Sequence, residues 1–173
     1  GFRGTGKTLA ALTIAHDLHY YHGKKIWWFG TPAHLPSFIS GSSLDLNKIP
    51  DNSITIVDES SVHFYDRLGQ SREQIDVMQR LPIIRHSGRS FIVITQNAAL
   101  INVDLLRHAS SLLYTSPFYF QRKKDQRVIM DAYLRKYMPK RIGEALYYSN
   151  EVLYELKFNM PDWWKEDYST PYR

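Results

Sequence analysis

The stretch Gly1-Phe2-Arg3-Gly4-Thr5-Gly6-Lys7-Thr8 matches the pattern G-x-x-x-x-G-K-[ST] at every fixed position, and it constrains the fold more than any other part of the chain. Glycines at these places let the backbone curl tightly enough for successive N–H groups to converge on one anion. A helix must begin at once, because its N-terminal N–H groups and dipole complete the anion's surroundings. The next residues meet that demand: Ala11, Ile14, Ala15, Leu18 and Tyr21 recur at helical spacing, and Gly23 with Lys24 and Lys25 marks a stop. A loop of this design cradles the phosphates of ATP. Gly1, Arg3, Gly4, Thr5, Gly6, Lys7 and Thr8 form the expected binding set, with Lys7 on the β- and γ-phosphates and the Thr8 hydroxyl on Mg²⁺. Such a loop normally follows a buried strand, so a strand ahead of Gly1 is expected to be missing from this numbering.

Composition narrows the class. With 173 residues and 43% hydrophobic content, 14% aromatic, the chain has the size and the apolar supply of one domain. It contains no run of about 18 apolar residues, so any membrane contact is expected only through segments not in this chain. The absence of cysteine excludes disulfides and cysteine-ligated zinc or iron-sulfur sites, and it suits an intracellular protein, in the host cytoplasm if the source is viral. Association with a virion or a membrane is compatible with the same reading. A net charge of +5 favours a polyanionic partner, although a nucleotide site calls for positive charge too.

Along the chain, residues 25–29, 53–57, 91–95 and 111–115 read as strands, and residues 73–84 and 103–109 as helices. The twenty or so residues after Phe29, rich in Pro, Ser and Gly, read as a loop without a period. Strands alternating with helices predict a mainly parallel sheet covered on both faces. Beyond residue 116 the character changes. Residues 126–137 look helical, residues 145–148 and 152–158 suit a hairpin across Ser149-Asn150-Glu151, and an aromatic end runs from Pro161 to Arg173. The expectation is a single domain, with a nucleotide-binding core at residues 1–116 and a helix/hairpin extension at residues 117–173.

The run Ile54-Thr55-Ile56-Val57-Asp58-Glu59 is an apolar strand ending in two carboxylates, about fifty residues downstream of the loop. Asp58 is placed to bind Mg²⁺, largely through its water shell, and Glu59 to polarise an attacking water. The same pair also suits the cap of a following helix. A further strand ends in Gln96-Asn97, where a polar group can sense the γ-phosphate or orient the water; a strand-terminal turn is the plainer alternative. His16, His19 and His22 lie near one helical face, but no carboxylate completes a metal set with them, and a surface face is expected.

Taken in order, the loop, the strand ending in Asp58-Glu59 and the run Arg85-His86-Ser87-Gly88-Arg89-Ser90-Phe91-Ile92-Val93-Ile94-Thr95-Gln96 resemble the FtsK-HerA superfamily of P-loop motor ATPases. The piece Leu100-Ile101-Asn102-Val103-Asp104-Leu105-Leu106-Arg107 is similar to the matching stretch of zonula-occludens-toxin-like phage proteins and of archaeal viral packaging ATPases. The resemblance covers about residues 1–116 and implies a RecA-like α/β fold of the P-loop NTPase type. It also implies catalytic roles for Lys7, Glu59, Gln96 and Arg85. Arg85 matches the arginine that a neighbouring subunit inserts into the nucleotide site; Arg89 lies close enough in sequence to be confused with it, and a solvated helix-end arginine is the alternative for either.

The implied machine is a magnesium-dependent ATPase ring, a homo-oligomer of five or six subunits, that translocates double-stranded DNA in viral genome packaging. Arg122, Lys123, Lys124, Arg135 and Lys136, interleaved with Tyr119, Tyr133 and Tyr137, would face the DNA backbone if they are more than a solvated surface. A zonula-occludens-toxin-like ATPase driving phage extrusion at a membrane is the closest alternative. A nucleoside or nucleotide kinase shares the loop but needs an acceptor pocket and no hydrolytic Glu59, and a switch without turnover has no use for that residue either. Trp163 and Trp164 are expected to dock, on the domain or on a neighbour.

Overall fold

The computed structural model describes residues 6–58, 87–95, 109–115, 143–149 and 152–169. Helix α1 (Lys7–His22) leads through Gly23 and Lys24 into β1 (Lys25–Phe29), followed by β2 (Ile39–Ser43), a 3-10 turn at Leu46–Lys48, β3 (Ser53–Asp58) and β4 (Ser90–Ile94). These four strands form one parallel sheet in the order β2-β1-β3-β4. β5 (Ser111–Thr115), β6 (Glu144–Ser149) and β7 (Val152–Lys157) form a second, antiparallel sheet, and a 3-10 turn at Glu166–Ser169 follows.

α1 packs on the parallel sheet because both present apolar residues at their own periods. Ala11, Leu12 and Ala15 recur on one helical face and meet Ile26 and Trp28 of β1, Ile54 and Ile56 of β3 and Ile94 of β4 in one buried cluster. The pairing register lines these up: Ile26 stands beside Ile54, Trp28 beside Ile56 and Ile56 beside Ile92. Burying side chains of this size stabilises the fold by about 1.5–3 kcal/mol each. Ser53, Thr55 and Val57, which alternation puts on the other face of β3, are buried too, so this central strand is enclosed on both sides. The second face is made of the small polar Ser53 and Thr55 with Val57, so the sequence of β3 alternates even though both of its faces are enclosed.

The expected strands are present, with two corrections. Residues 111–115 form a strand, but it pairs antiparallel with β6 and does not join the parallel sheet. A short apolar run carries no record of its partner's direction, so the sequence favoured the commoner continuation. The segment after Phe29, expected to be a loop, contains β2, whose Ile-Ser-Gly-Ser-Ser has no alternation to reveal it. Packing makes it a strand: Gly41 pairs with Trp27, and a Cβ at residue 41 would lie 3.0 Å from the Trp27 ring. The hairpin is as expected, with Ser149 paired to Val152 and Glu144 to Lys157. The helices expected at residues 73–84, 103–109 and 126–137 lie outside the described residues.

The aromatic end docks on the domain itself. Trp163 and Trp164 pack against the cluster beneath α1, and Tyr168 is a buried member of it.

Candidate functional site

Gly6 caps α1 with φ 79° and ψ 11°, a left-handed conformation that would cost any other L-residue roughly 1–2 kcal/mol. Its carbonyl accepts the first helical hydrogen bond, from the Ala10 N–H at 2.9 Å. Lys7 and Thr8 are therefore the first two residues of a helix whose leading N–H groups and positive dipole end point out of the same terminus. The helix stops at Gly23, whose N–H donates to the His19 carbonyl at 2.9 Å. With only Gly23 and Lys24 before β1, the chain reverses, so α1 runs back along the sheet. Its N-terminus comes to the edge where the parallel strands end.

At that edge β3 delivers Asp58. Residues 54, 56 and 58 share a face by alternation, and Ile54 and Ile56 pack against α1, so the Asp58 carboxylate is on the helix side of the sheet. Asp58 is only 8% exposed and stands beside Ile94, the last residue of β4. A carboxylate at such burial needs donors or a cation around it. Thr95 follows β4 at this same edge and is half-buried. In an open parallel sheet this is the ligand-binding end.

The donor chemistry suits magnesium. A threonine hydroxyl at the helix start and an aspartate carboxylate at the strand end are hard oxygen donors, and together they would suit a largely hydrated Mg²⁺. No imidazole or thiolate competes within this group.

Of the expected site residues, Gly6, Lys7, Thr8 and Asp58 are brought to one edge of the sheet. Gly1, Arg3, Gly4, Thr5, Glu59, Arg85 and Gln96 lie outside the described residues, as do Arg122, Lys123, Lys124, Arg135 and Lys136. Arg89 is separated from the site altogether. It stands before β4, at the opposite edge of the sheet, with its guanidinium 2.8 Å from the Asp51 carboxylate and donating to the Leu46 carbonyl at 3.1 Å. Arg89 therefore ties the loops at that edge together.

His16 departs from the expected surface face. Its ring stacks on Trp163 at 5.2 Å between centroids, meets Phe38 edge-on at 5.2 Å and stacks on Tyr20 at 6.0 Å. Docking by the two tryptophans is expected from the sequence, whereas their partner on α1, His16, is not. An aromatic-rich end opposite a helix carrying His16 and Tyr20 was the available signal.

Comparison with solved structures supports the same fold. The genome packaging NTPase B204 from Sulfolobus turreted icosahedral virus 2, in complex with ATP-gammaS, superimposes with a TM-score of 0.65 at 14% identity, over 92% of this chain and 95% of that one. B204, the DNA-packaging ATPase from Sulfolobus turreted icosahedral virus, gives 0.65 at 16% identity over the same shares. The N-terminal domain of zonular occludens toxin from Neisseria meningitidis gives 0.50 at 15% identity, over 94% of this chain and 92% of that one. No protein-family model and no curated protein matches the sequence. The parallel sheet with α1 packed on it is the fold of a P-loop NTPase, as the sequence predicts.

Proposed function

We propose that this chain is a magnesium-dependent ATPase that works as one subunit of a ring and moves double-stranded DNA in viral genome packaging. One observation carries the nucleotide part: the left-handed Gly6 starts α1 with Lys7 and Thr8 at the sheet edge where β3 presents a buried Asp58 on the helix side. Two elements far apart in sequence thus bring the start of α1 and an acidic group to one edge of the sheet, which supports the reading of the loop as a phosphate cradle. The packaging part is supported by the likeness in fold to the two B204 proteins and by the net charge of +5.

In this reading the backbone N–H groups of residues 1–6 and the Lys7 ammonium hold the β- and γ-phosphates. Thr8 and Asp58 hold Mg²⁺, which when bound offsets phosphate charge. Glu59 takes a proton from the attacking water as its oxygen bonds to the γ-phosphorus. The bond from that phosphorus to the bridging oxygen breaks, and ADP leaves with the electron pair. Gln96 orients the water. Arg85 of one subunit reaches the nucleotide of its neighbour, so turnover belongs to the assembled ring. Arg122, Lys123, Lys124, Arg135 and Lys136 neutralise DNA phosphates without reading bases. The likeness to the zonular occludens toxin domain favours a second reading, an assembly ATPase acting in phage extrusion, with any membrane anchor in another segment. No helix among the described residues is long and apolar enough to cross a membrane.

The test is ATP turnover by the assembled protein with and without duplex DNA. The packaging reading expects DNA to stimulate hydrolysis, and Glu59→Gln to lower it by about 10²-fold or more while nucleotide binding survives. Hydrolysis indifferent to DNA turns the assignment toward extrusion, and Glu59→Gln turnover within about threefold of the parent removes Glu59 from the chemistry.

A further inference from the structure

Segment 161–168 is a compact strap rather than a trailing end. The Trp164 N–H donates to the Pro161 carbonyl at 2.9 Å and the Tyr168 N–H to the Lys165 carbonyl at 3.1 Å, closing two successive turns. Between them the strap offers α1 three aromatic side chains. Trp163 stacks on His16 with the ring planes 27° apart, Trp164 meets Tyr168 edge-on at 6.1 Å, and Tyr168 enters the cluster that contains Ala11, Leu12 and Ala15. Phe38, from the segment ahead of β2, closes the group with its ring 5.2 Å from that of Trp163.

The placement of these contacts along α1 is unequal. Leu9 to Leu12 are all buried against the body of the domain, whereas the stretch from Thr13 to Leu18 is mostly half-buried, with Asp17 exposed. This second stretch is where His16 meets the strap. His16 lies nine residues from Lys7, about 14 Å along a rigid helix. Tyr168 shares one cluster with Ala11, Leu12 and Ala15, so the strap bears on the helix from its buried half to its far half. A rigid-rod shift of about 1 Å at Lys7 is enough to cost about 10²-fold where phosphate geometry matters.

We propose that Trp163, Trp164 and Tyr168 are positioning residues for the nucleotide site: docked on α1, they fix its axis and with it Lys7 and Thr8. Docking of the strap and nucleotide binding are then coupled, and the coupling is reciprocal. The proposal rests on the reading of this chain as a nucleotide-binding protein.

The experiment measures ATP-gammaS binding calorimetrically and hydrogen exchange of the strap amides in the whole chain, with and without saturating ATP-gammaS and Mg²⁺. Coupling predicts that the nucleotide slows exchange at residues 161–168 by about tenfold, and that Trp163→Ala weakens nucleotide affinity by a similar factor. Trp163→Phe, which keeps an aromatic face toward His16, should recover most of that affinity. Protection of β3 amides in each variant reports whether the domain is still folded. If Trp163→Ala unfolds, the wild-type exchange alone decides. Binding of ATP-gammaS with strap exchange unchanged overturns the coupling while leaving the nucleotide site intact. A folded wild-type chain that binds no ATP-gammaS overturns the nucleotide reading and the coupling together.

Discussion

The two edges of the parallel sheet are built to opposite specifications. Where the strands begin, the loops are fastened to one another. Arg89 joins Asp51 and the Leu46 carbonyl, the Asn52 N–H donates to the Ser87 carbonyl at 3.0 Å, and Gly88 sits so close to the Asn52 side chain that a Cβ would run into it. Where the strands end, the same sheet presents Asp58 and Thr95 at the end to which the N-terminus of α1 comes. Fastening one edge leaves the other free to carry groups that are costly to place, because strain and buried charge there are offset by order elsewhere. A change at the working edge should therefore alter chemistry with little loss of stability, and a change at the fastened edge the reverse.

Lys7→Ala should break the comparison most severely. Removing the ammonium should lower ATP affinity by about 10²-fold or more, since charge-assisted contacts to phosphate are among the strongest available, while the melting temperature barely moves. Calorimetric titration with ATP beside a thermal melt checks both halves. A large stability loss with affinity kept would reverse the roles of the two edges.

Gly88→Ala is the converse probe. Gly88 has φ 69°, and the added methyl meets the Asn52 carboxamide, so a loss of about 2 kcal/mol in denaturant unfolding is expected, with ATP affinity of the folded fraction unchanged. Arg89→Ala should be milder. Its side chain is 17% exposed and its partner Asp51 62%, which screens the ion pair, so about 1 kcal/mol is expected, again without effect on turnover per folded molecule. If Arg89→Ala instead abolishes hydrolysis in a stable protein, the assignment of this arginine to the fastened edge fails.

Much of this division could be read before any coordinates. The loop pattern requires a helix at Lys7, and alternation through Ile54, Ile56 and Asp58 puts the carboxylate on the helix side once the helix has a face to cover. The apolar runs announced β1, β3 and β4, and the polar Ser149-Asn150-Glu151 announced the hairpin. Other features are properties of pairs that are distant in sequence. β2 exists because Trp27 covers Gly41, β5 turns away from the parallel sheet because β6 offers it an antiparallel partner, and Arg89 acquires its meaning from Asp51 and Leu46. No local window contains both members of such a pair. His16 is the same kind of case: a surface histidine by its neighbours in sequence, and an aromatic packing element once Trp163 arrives from the far end of the chain.

A magnesium-nucleotide site formed jointly by α1 and β3 is decided by calorimetric titration of ATP-gammaS into the wild-type chain and Asp58→Asn, each with and without Mg²⁺. If Asp58 holds the metal, Mg²⁺ should tighten binding by the wild-type chain by about tenfold or more, and most of that gain should vanish in Asp58→Asn while metal-free binding through the loop persists. An Asp58→Asn protein that keeps the full magnesium gain would remove Asp58, and with it β3, from the nucleotide site.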